Sequence, residues 1–419
     1  MTTPHHTTAV IVAYCRTAFA KAAIPGTGKA PGRFADVDPV DMQVPLINTL
    51  LERSGLDPVH VKKVLTGAVH QEGDQGLNIA RLNVLHKDCK LTNATGGTSL
   101  DRFCGSSMEG IAYADALIGR NPDHVYIVTG VQSMSHIPMG GYNPTLNKSI
   151  HEGNPAGFMD MPTTAENLAA LYNISRAEQD AFALQSHQRT AAAQDAGHYN
   201  NEIVPLAGLA LDDGVRRDTN LEVLGRLKPV AKALEAGGTV TAASSSQITD
   251  GATAVMVTSE AFAAAHDLPV LSRIVAFGES GCDPEIMGIG PVEATKDALN
   301  KAGLTMADMD VIELNEAFAA QSLAVLKEWE KQGMGVDQSK VNVDGGAIAI
   351  GHPLGASGAR LVGHVSEVLK RENKRYGLAT MCIGGGQGVA MIVENPAATV
   401  NSCTRAKCGG PACQSPKCA

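Results

Sequence analysis

Two of the nine cysteines in this sequence stand in glycine-rich settings that could support chemistry. Asp101-Arg102-Phe103-Cys104-Gly105-Ser106-Ser107-Met108 leads into an apolar, helix-periodic stretch, Ile111–Ile118. Cys104 is therefore expected at or just before a helix N-terminus, where unpaired N–H groups and the helix dipole favour thiolate over thiol. Met381-Cys382-Ile383-Gly384-Gly385-Gly386-Gln387-Gly388 places a second cysteine at a strand end, before a turn whose exposed N–H groups could hold an oxyanion. A third segment, the glycine-rich stretch from Gly345 to Gly358, carries His352, and a neutral imidazole there could act as a base toward a thiol. That stretch lacks the Lys-Ser/Thr of a phosphate-binding P-loop. Asn315-Glu316-Ala317-Phe318 also reads as a strand end, where a side-chain amide could orient a water. Competing readings stand beside these: either cysteine could be a small buried hydrophobe, and Asn315 an ordinary helix cap.

Alternating strand-like and helix-like segments are expected to position these residues in an α/β fold. Ala9–Tyr14, Val64–Val69 and Val125–Gly130 read as buried strands, and Met42–Arg53 as a helix stopped by Gly55. The same order returns later. Leu51-Glu52-Arg53-Ser54-Gly55-Leu56 is echoed by Leu299-Asn300-Lys301-Ala302-Gly303-Leu304, and each precedes a strand-like run, Val61–Leu65 and Met309–Leu314. Ile11–Tyr14 has a partner in Ile274–Phe277, and Val125–Gly130 in Leu378–Ile383. The chain reads as a duplicated α/β unit. The spacing that carries Gly55 to Gly303 also carries Cys104 to His352, so a pseudo-twofold arrangement would aim both into one cleft. Between the halves lies an insertion of about Met134–Asp250, with helices expected over Ala165–Tyr172 and Arg176–Ala196. Ser175 and Glu178 form a capping-box pattern ahead of the second.

Composition narrows the classes. At 419 residues, 44% hydrophobic, with 44 glycines and a single tryptophan, the chain has enough apolar material for two or three packed units. A net charge of -9 argues against a general nucleic-acid surface. No apolar run approaches the roughly 18 residues of a membrane span. Neither a secretory leader nor a standard peroxisomal address is read, so a cytoplasmic location is expected. Cys403, Cys408, Cys413 and Cys418 recur every five residues near the end, a spacing that matches no familiar zinc pattern and is expected in a disordered tail.

In order along the chain, the Arg102–Met108 block, Thr164-Ala165-Glu166-Asn167, Asn315–Phe318, Gly351-His352-Pro353 and the Cys382–Gly388 turn resemble the thiolase family, over about residues 8–395. The cysteine block and Gly281-Cys282-Asp283-Pro284 look most like bacterial fatty-acid β-oxidation members. The resemblance implies the thiolase fold, duplicated α/β halves in a five-layer αβαβα arrangement with an inserted loop domain. Residues 1–133 plus 251–268 would form one half, 134–250 the insertion, 269–395 the other half and 396–419 the tail. It implies a 3-ketoacyl-CoA-cleaving acyltransferase with Cys104 as nucleophile, His352 as base, Cys382 as acid/base, Asn315 holding a water, and the Gly384 N–H on an oxyanion. Ser246, Phe318, Ala317 and Met161 would line the CoA and substrate channel. Coenzyme A would be a substrate, with no resident cofactor and no metal. A homodimer or homotetramer is implied, and a hydratase/dehydrogenase subunit is a partner known for such members. Three alternatives stand: a biosynthetic acetoacetyl-CoA thiolase, a decarboxylating ketosynthase, and a catalytically silent acyl-CoA-binding protein on the same scaffold. Two positions depart from the pattern. Pro162 stands where glycine is common and is expected to stiffen a substrate loop. Asp344 stands where asparagine is frequent.

Overall fold

A computed structural model describes residues 7–22, 32–230 and 238–399. The strands expected from short apolar runs all form, as β1 (Ala9–Thr17), β2 (Val61–Ala68), β4 (Val125–Gln132), β6 (Ser272–Gly281), β7 (Val311–Leu314) and β8 (Tyr376–Ile383), and three that the sequence reading did not name join them, β3 (Gly96–Leu100), β5 (Thr249–Ser259) and β9 (Gln387–Glu394). β1, sealed on both faces, reads as an unbroken apolar run from Ala9 to Cys15 rather than an alternating one. Among the described residues, seven helices have eleven residues or more: α1 (Pro39–Ser54), α2 (Ser106–Ile118), α3 (Met161–Leu171), α4 (Arg176–Asp195), α5 (Pro291–Ala302), α6 (Ala319–Lys331) and α7 (Leu354–Arg371). None is long and apolar enough to cross a membrane.

The strands run in the order β3-β2-β4-β5-β1-β6-β9-β8-β7, with two-residue strands at Ala20–Lys21 and Ile203–Val204 beside this path. The order is a mirrored repeat: β2-β4-β5-β1 meets β6-β9-β8-β7 at its centre. Pairing senses repeat too, since β2 and β4 are parallel, as are β7 and β8, while the remaining neighbours in each half are antiparallel. The halves join where β1 meets β6, through Val10↔Arg273 and Ile11↔Ser272. The two echoed helices, α1 and α5, both end on a left-handed glycine, Gly55 at φ 68° and Gly303 at φ 65°. That conformation crowds any Cβ.

Three apolar cores divide the molecule into layers. Met42, Leu46 and Leu50 of α1 cover one outer face against Val10, Ile127 and Met256. Ala298 of α5 and Val325 and Trp329 of α6 cover the other, against Ile312, Leu378 and Ile392. Between the sheet halves lie α2 and α7, where Ile111, Ala114, Leu361 and Val365 touch Leu65, Val128 and Val255 on one side and Met381 and Met391 on the other. Helix, sheet, helices, sheet, helix is the five-layer arrangement expected. The mirrored topology supports the division expected above, which we retain as our proposal. The cysteines of the tail lie outside the described residues.

The insertion leaves after β4 and returns at β5. α4 begins with the capping box foreseen at Ser175 and Glu178. Pro162 is a correction: it lies in the first turn of α3, capped by Asp160, rather than in a loop. No N–H is needed at that position, so proline fits without loss. Buried ion pairs fasten the insertion to the halves. The Arg16 guanidinium holds Asp212 at 2.7 and 2.9 Å, Glu202 meets His364 Nδ1 at 2.6 Å, and Asp344 meets Arg371 at 2.8 Å and His198 at 2.9 Å.

Candidate active site

The start of α2 is set by a tight local turn. Asp101 accepts from Phe103 N at 3.0 Å, and Ser106 Oγ accepts from Arg102 N at 2.8 Å while donating to Phe103 O at 2.6 Å. Phe103 is forced to φ +45°, and Cys104 follows one residue ahead of the capping Gly105. Gly105 is required by proximity: a Cβ there would lie 2.4 Å from Ile383 Cδ1, at the end of β8. This close approach brings the Cys104 thiol to the glycine turn after β8, where the Gly384 N–H favours its ionised form.

The helix start does not make Cys104 a thiolate. Desolvation pushes its thiol up to about 11, against the pull of the N–H groups of Gly384 and of Cys104 itself, and the Asp101 carboxylate adds to the rise. Removing a charge from water costs more than a helix end returns, because the dipole contributes roughly 1 kcal/mol while burial can shift a pKa by several units. Cys382, the penultimate residue of β8, is 1% exposed. Burial first, then its neighbours Cys104 and Cys282, push its thiol well above the usual range. Cys382 therefore holds a proton. It shares a core with Ala317, Phe318, Leu168 and Met287, with Met161 packed alongside. A methyl placed on Gly384 would lie 3.8 Å from Met161 Sδ, so Met161 faces the turn that carries the donor.

His352 precedes α7 as Cys104 precedes α2, each two residues before its helix. The two helices cross tightly, with Ala359 N donating to Ser107 Oγ at 2.9 Å. Asn315 Nδ2 lies 3.4 Å from His352 Nε2, and Ser357 Oγ lies 2.6 Å from Nδ1. Ser357 Oγ also donates to Pro353 O at 3.0 Å. Its one hydrogen being used there, Ser357 must accept from the ring, so Nδ1 carries the proton and Nε2 presents the lone pair. Burial, with the positive Arg360, pulls the imidazole down to about 3. The base is thus neutral. Asn315 N donates to Thr380 O at 3.0 Å, which ties this residue to β8 two positions before Cys382. Its Oδ1 is buried with no hydrogen-bond partner among the described residues.

Ser246 lies half-buried beside this wall, its N–H on Ala317 O at 2.9 Å. Every residue singled out from the sequence thus lies on one connected set of contacts running from Cys104 through the β8 end to Asn315 and His352. Sequence reasoning missed Ser357, which orients the imidazole; its place inside the quoted glycine-rich stretch was the available signal. It also missed Glu316, buried at 2% exposure, which accepts from Ser186 Oγ at 2.6 Å, Asn342 Nδ2 at 2.9 Å and Ile348 N at 3.1 Å and so holds the His352 loop against α4. Among the described residues no group of three or more His, Cys, Asp or Glu side chains converges in the manner of a metal site.

Two neighbouring thiols that keep their protons, at the end of the strand to which Asn315 ties the neutral imidazole of His352, form a site suited to passing an acyl group through a cysteine. Comparison with known proteins agrees. The family description "Thiolase, N-terminal domain" matches residues 9–261, and "Thiolase, C-terminal domain" matches residues 268–395. The chain is 43% identical over 376 residues to a 3-ketoacyl-CoA thiolase of Pseudoalteromonas translucida (strain TAC 125), covering 87% of this chain and 94% of that one. It is 42% identical over 378 residues to a 3-ketoacyl-CoA thiolase of Vibrio cholerae serotype O1, covering 87% and 95%. The solved structure of human mitochondrial 3-ketoacyl-CoA thiolase in complex with CoA superposes with a TM-score of 0.82 at 37% identity, covering 93% of this chain and 98% of that one. By its family match across both halves, this chain belongs to the thiolase family.

Proposed function

We propose that the chain cleaves 3-ketoacyl-CoA with CoA, giving acetyl-CoA and an acyl-CoA shortened by two carbons, as an acyltransferase of fatty-acid β-oxidation. The observation that carries this reading is the convergence on the end of β8 of Cys104, packed under Ile383 through Gly105, of Cys382 on that strand, and of the Asn315–His352 pair tied to it at Thr380. The 3-ketoacyl-CoA thiolases at above 40% identity support the choice of substrate.

His352 Nε2 takes the Cys104 proton as the sulfur attacks the 3-keto carbon. The bond between C2 and C3 then breaks, leaving the acyl group as a thioester on Cys104 and the electron pair on an acetyl-CoA enolate. Cys382 protonates C2, and acetyl-CoA leaves. Incoming CoA supplies the proton that restores Cys382, its sulfur attacks the thioester, and Cys104 recovers its proton from His352. Once the sulfur is acylated it no longer needs the Gly384 N–H, so that donor and the Cys104 N–H can serve the thioester oxygen. Asn315, with Oδ1 open, holds the water that with His352 stabilises the enolate oxygen. Loss of one such donor costs on the order of 100- to 1,000-fold in rate. Ser246, Ala317, Phe318 and Met161 line the path of the pantetheine arm and the acyl chain. Among the described residues, strand β3 is paired on one side only, with β2. A strand edge left open in this way supports a homo-oligomer, by pairing with a second copy.

Replacing Cys382 by serine tests the division of labour. Cleavage of acetoacetyl-CoA should fall far more than transfer from a preformed acyl-enzyme to CoA, because only cleavage requires an acid at carbon. Equal losses in the two half-reactions, measured by rapid quench, would contradict the role given to Cys382.

A further inference from the structure

The segment from Ser244 to Thr249 brings Ser246 to the pocket, and its hydrogen bonds do more than that. On one side Ala319 N donates to Ser244 O at 2.8 Å and Ser246 N to Ala317 O at 2.9 Å, stitching the segment to the chain that carries Asn315. On the other side Gln247 O accepts from His352 N at 3.2 Å. The Gln247 side chain reaches the same loop: Nε2 lies 3.1 Å from Ile348 O, 3.1 Å from Ala349 O and 2.9 Å from Gly214 O. Two N–H hydrogens are shared among three carbonyls.

Those carbonyls explain the arrangement. Ile348 and Ala349 belong to a four-residue helix, Ala347–Ile350, whose last C=O groups have no following turn to bond them. The amide therefore caps the helix where the chain turns through Gly351, at φ 102°, into His352. Thr249 closes the other side of that turn, since a Cβ on Gly351 would lie 2.2 Å from Thr249 Cγ2. Ser357 fixes the imidazole ring; Gln247 fixes the peptide from which the ring projects.

We propose that Gln247 is a positioning residue for the His352 base, and that it couples the base to the neighbouring Ser246 on the CoA side of the pocket. The inference rests on the function proposed above. A base that must reach first the Cys104 thiol and later serve the exchange with CoA tolerates little displacement, because an error of about 1 Å can cost on the order of 100-fold. With the loop tied through Gln247 to the segment that carries Ser246, the seat of the thiol substrate and the position of the base are set by one piece of backbone.

The test compares the full-length protein with Gln247→Met, which keeps the length of the side chain and removes its donors, and Gln247→Ala, which removes both. Acyl-enzyme formation from acetoacetyl-CoA and its thiolysis by CoA are timed by quenched-flow mass spectrometry, with the KM for CoA and the melting temperature measured alongside. Both half-reactions should slow by about tenfold or more in both variants, with the KM for CoA changed by less than about twofold. A Met variant at the wild-type rate would show that packing suffices and overturn the proposal. So would a rise in KM at unchanged kcat, which would place Gln247 in CoA binding instead. A wild-type chain that forms no acyl-Cys104 would overturn the functional reading and this proposal together, whereas normal wild-type acylation beside a fully active Met variant overturns this proposal alone.

Discussion

At Cys104 two local effects oppose each other. The α2 N-terminus and the Gly384 N–H draw the thiol toward ionisation, while desolvation pushes it up to about 11, and His352 at about 3 stays neutral. The resting pair is thiol and imidazole, so proton transfer accompanies attack on the substrate instead of preceding it. Only thiolate is alkylated, and its fraction grows tenfold per pH unit below the pKa. The rate of Cys104 modification by iodoacetamide in the free protein should therefore rise about tenfold per unit from about pH 6 to about pH 10. A plateau below about pH 8, read by peptide mass spectrometry, would mean a preformed thiolate and contradict this picture. The residues proposed to react stood out in the sequence because Cys104 precedes a helix start and His352 and Cys382 lie in glycine-rich turns. The direction of the Cys104 shift could not, since a helix start is a local feature and burial under β8 is a tertiary one. Gln247 and Ser357 escaped for a related reason: each acts by hydrogen-bonding a residue or carbonyl whose place only the fold reveals.

Helices α2 and α7 form the element that brings the two halves of the site together. Their approach depends on a small residue, since a Cβ on Gly358 would lie 2.5 Å from Met108 N, and α7 also closes on β4, where a Cβ on Gly355 would lie 2.3 Å from Val131 O. Backbone atoms cannot give way as a flexible side chain can. Gly358→Ala should therefore lower stability by about 1–3 kcal/mol, the usual range for overpacking. It should also slow acylation of Cys104, because parting the helices moves Cys104 and His352 apart. Thermal melts and acylation rates on the same preparation check both effects, and an unchanged melting point would show that the crossing is looser than described. Much at this scale was legible. The paired glycine caps Gly55 and Gly303, and the equal spacing of Cys104 and His352, announced the duplication, because a left-handed cap is a local requirement that repeats with its helix. Strand order was not legible, since the apolar runs carry no label naming their neighbours. Nor was the lack of a counterpart to β3 along the second half of the strand path.

For the whole molecule, the question is what holds a long insertion against two packed halves. Arg16 on β1, Glu202 and Asp212 in the insertion, and Glu313, Asp344, Arg360 and His364 around α7 make one buried ionic web. Within it Asp344 lies against His364 and Arg371, so an acid at this position has cations to answer it. The departure from asparagine was visible in the sequence, whereas its partners, spread from residue 198 to residue 371, were not. This web fastens the insertion, which carries Met161 and Ser246, to β1 and α7.

The most direct test is the mass spectrum of the protein quenched during turnover of acetoacetyl-CoA, followed by peptide mapping. An acetyl thioester on the peptide carrying Cys104, absent in Cys104→Ser, is the predicted result. An acetyl group on Cys282 or Cys382 instead, or turnover with no covalent adduct, would contradict the account.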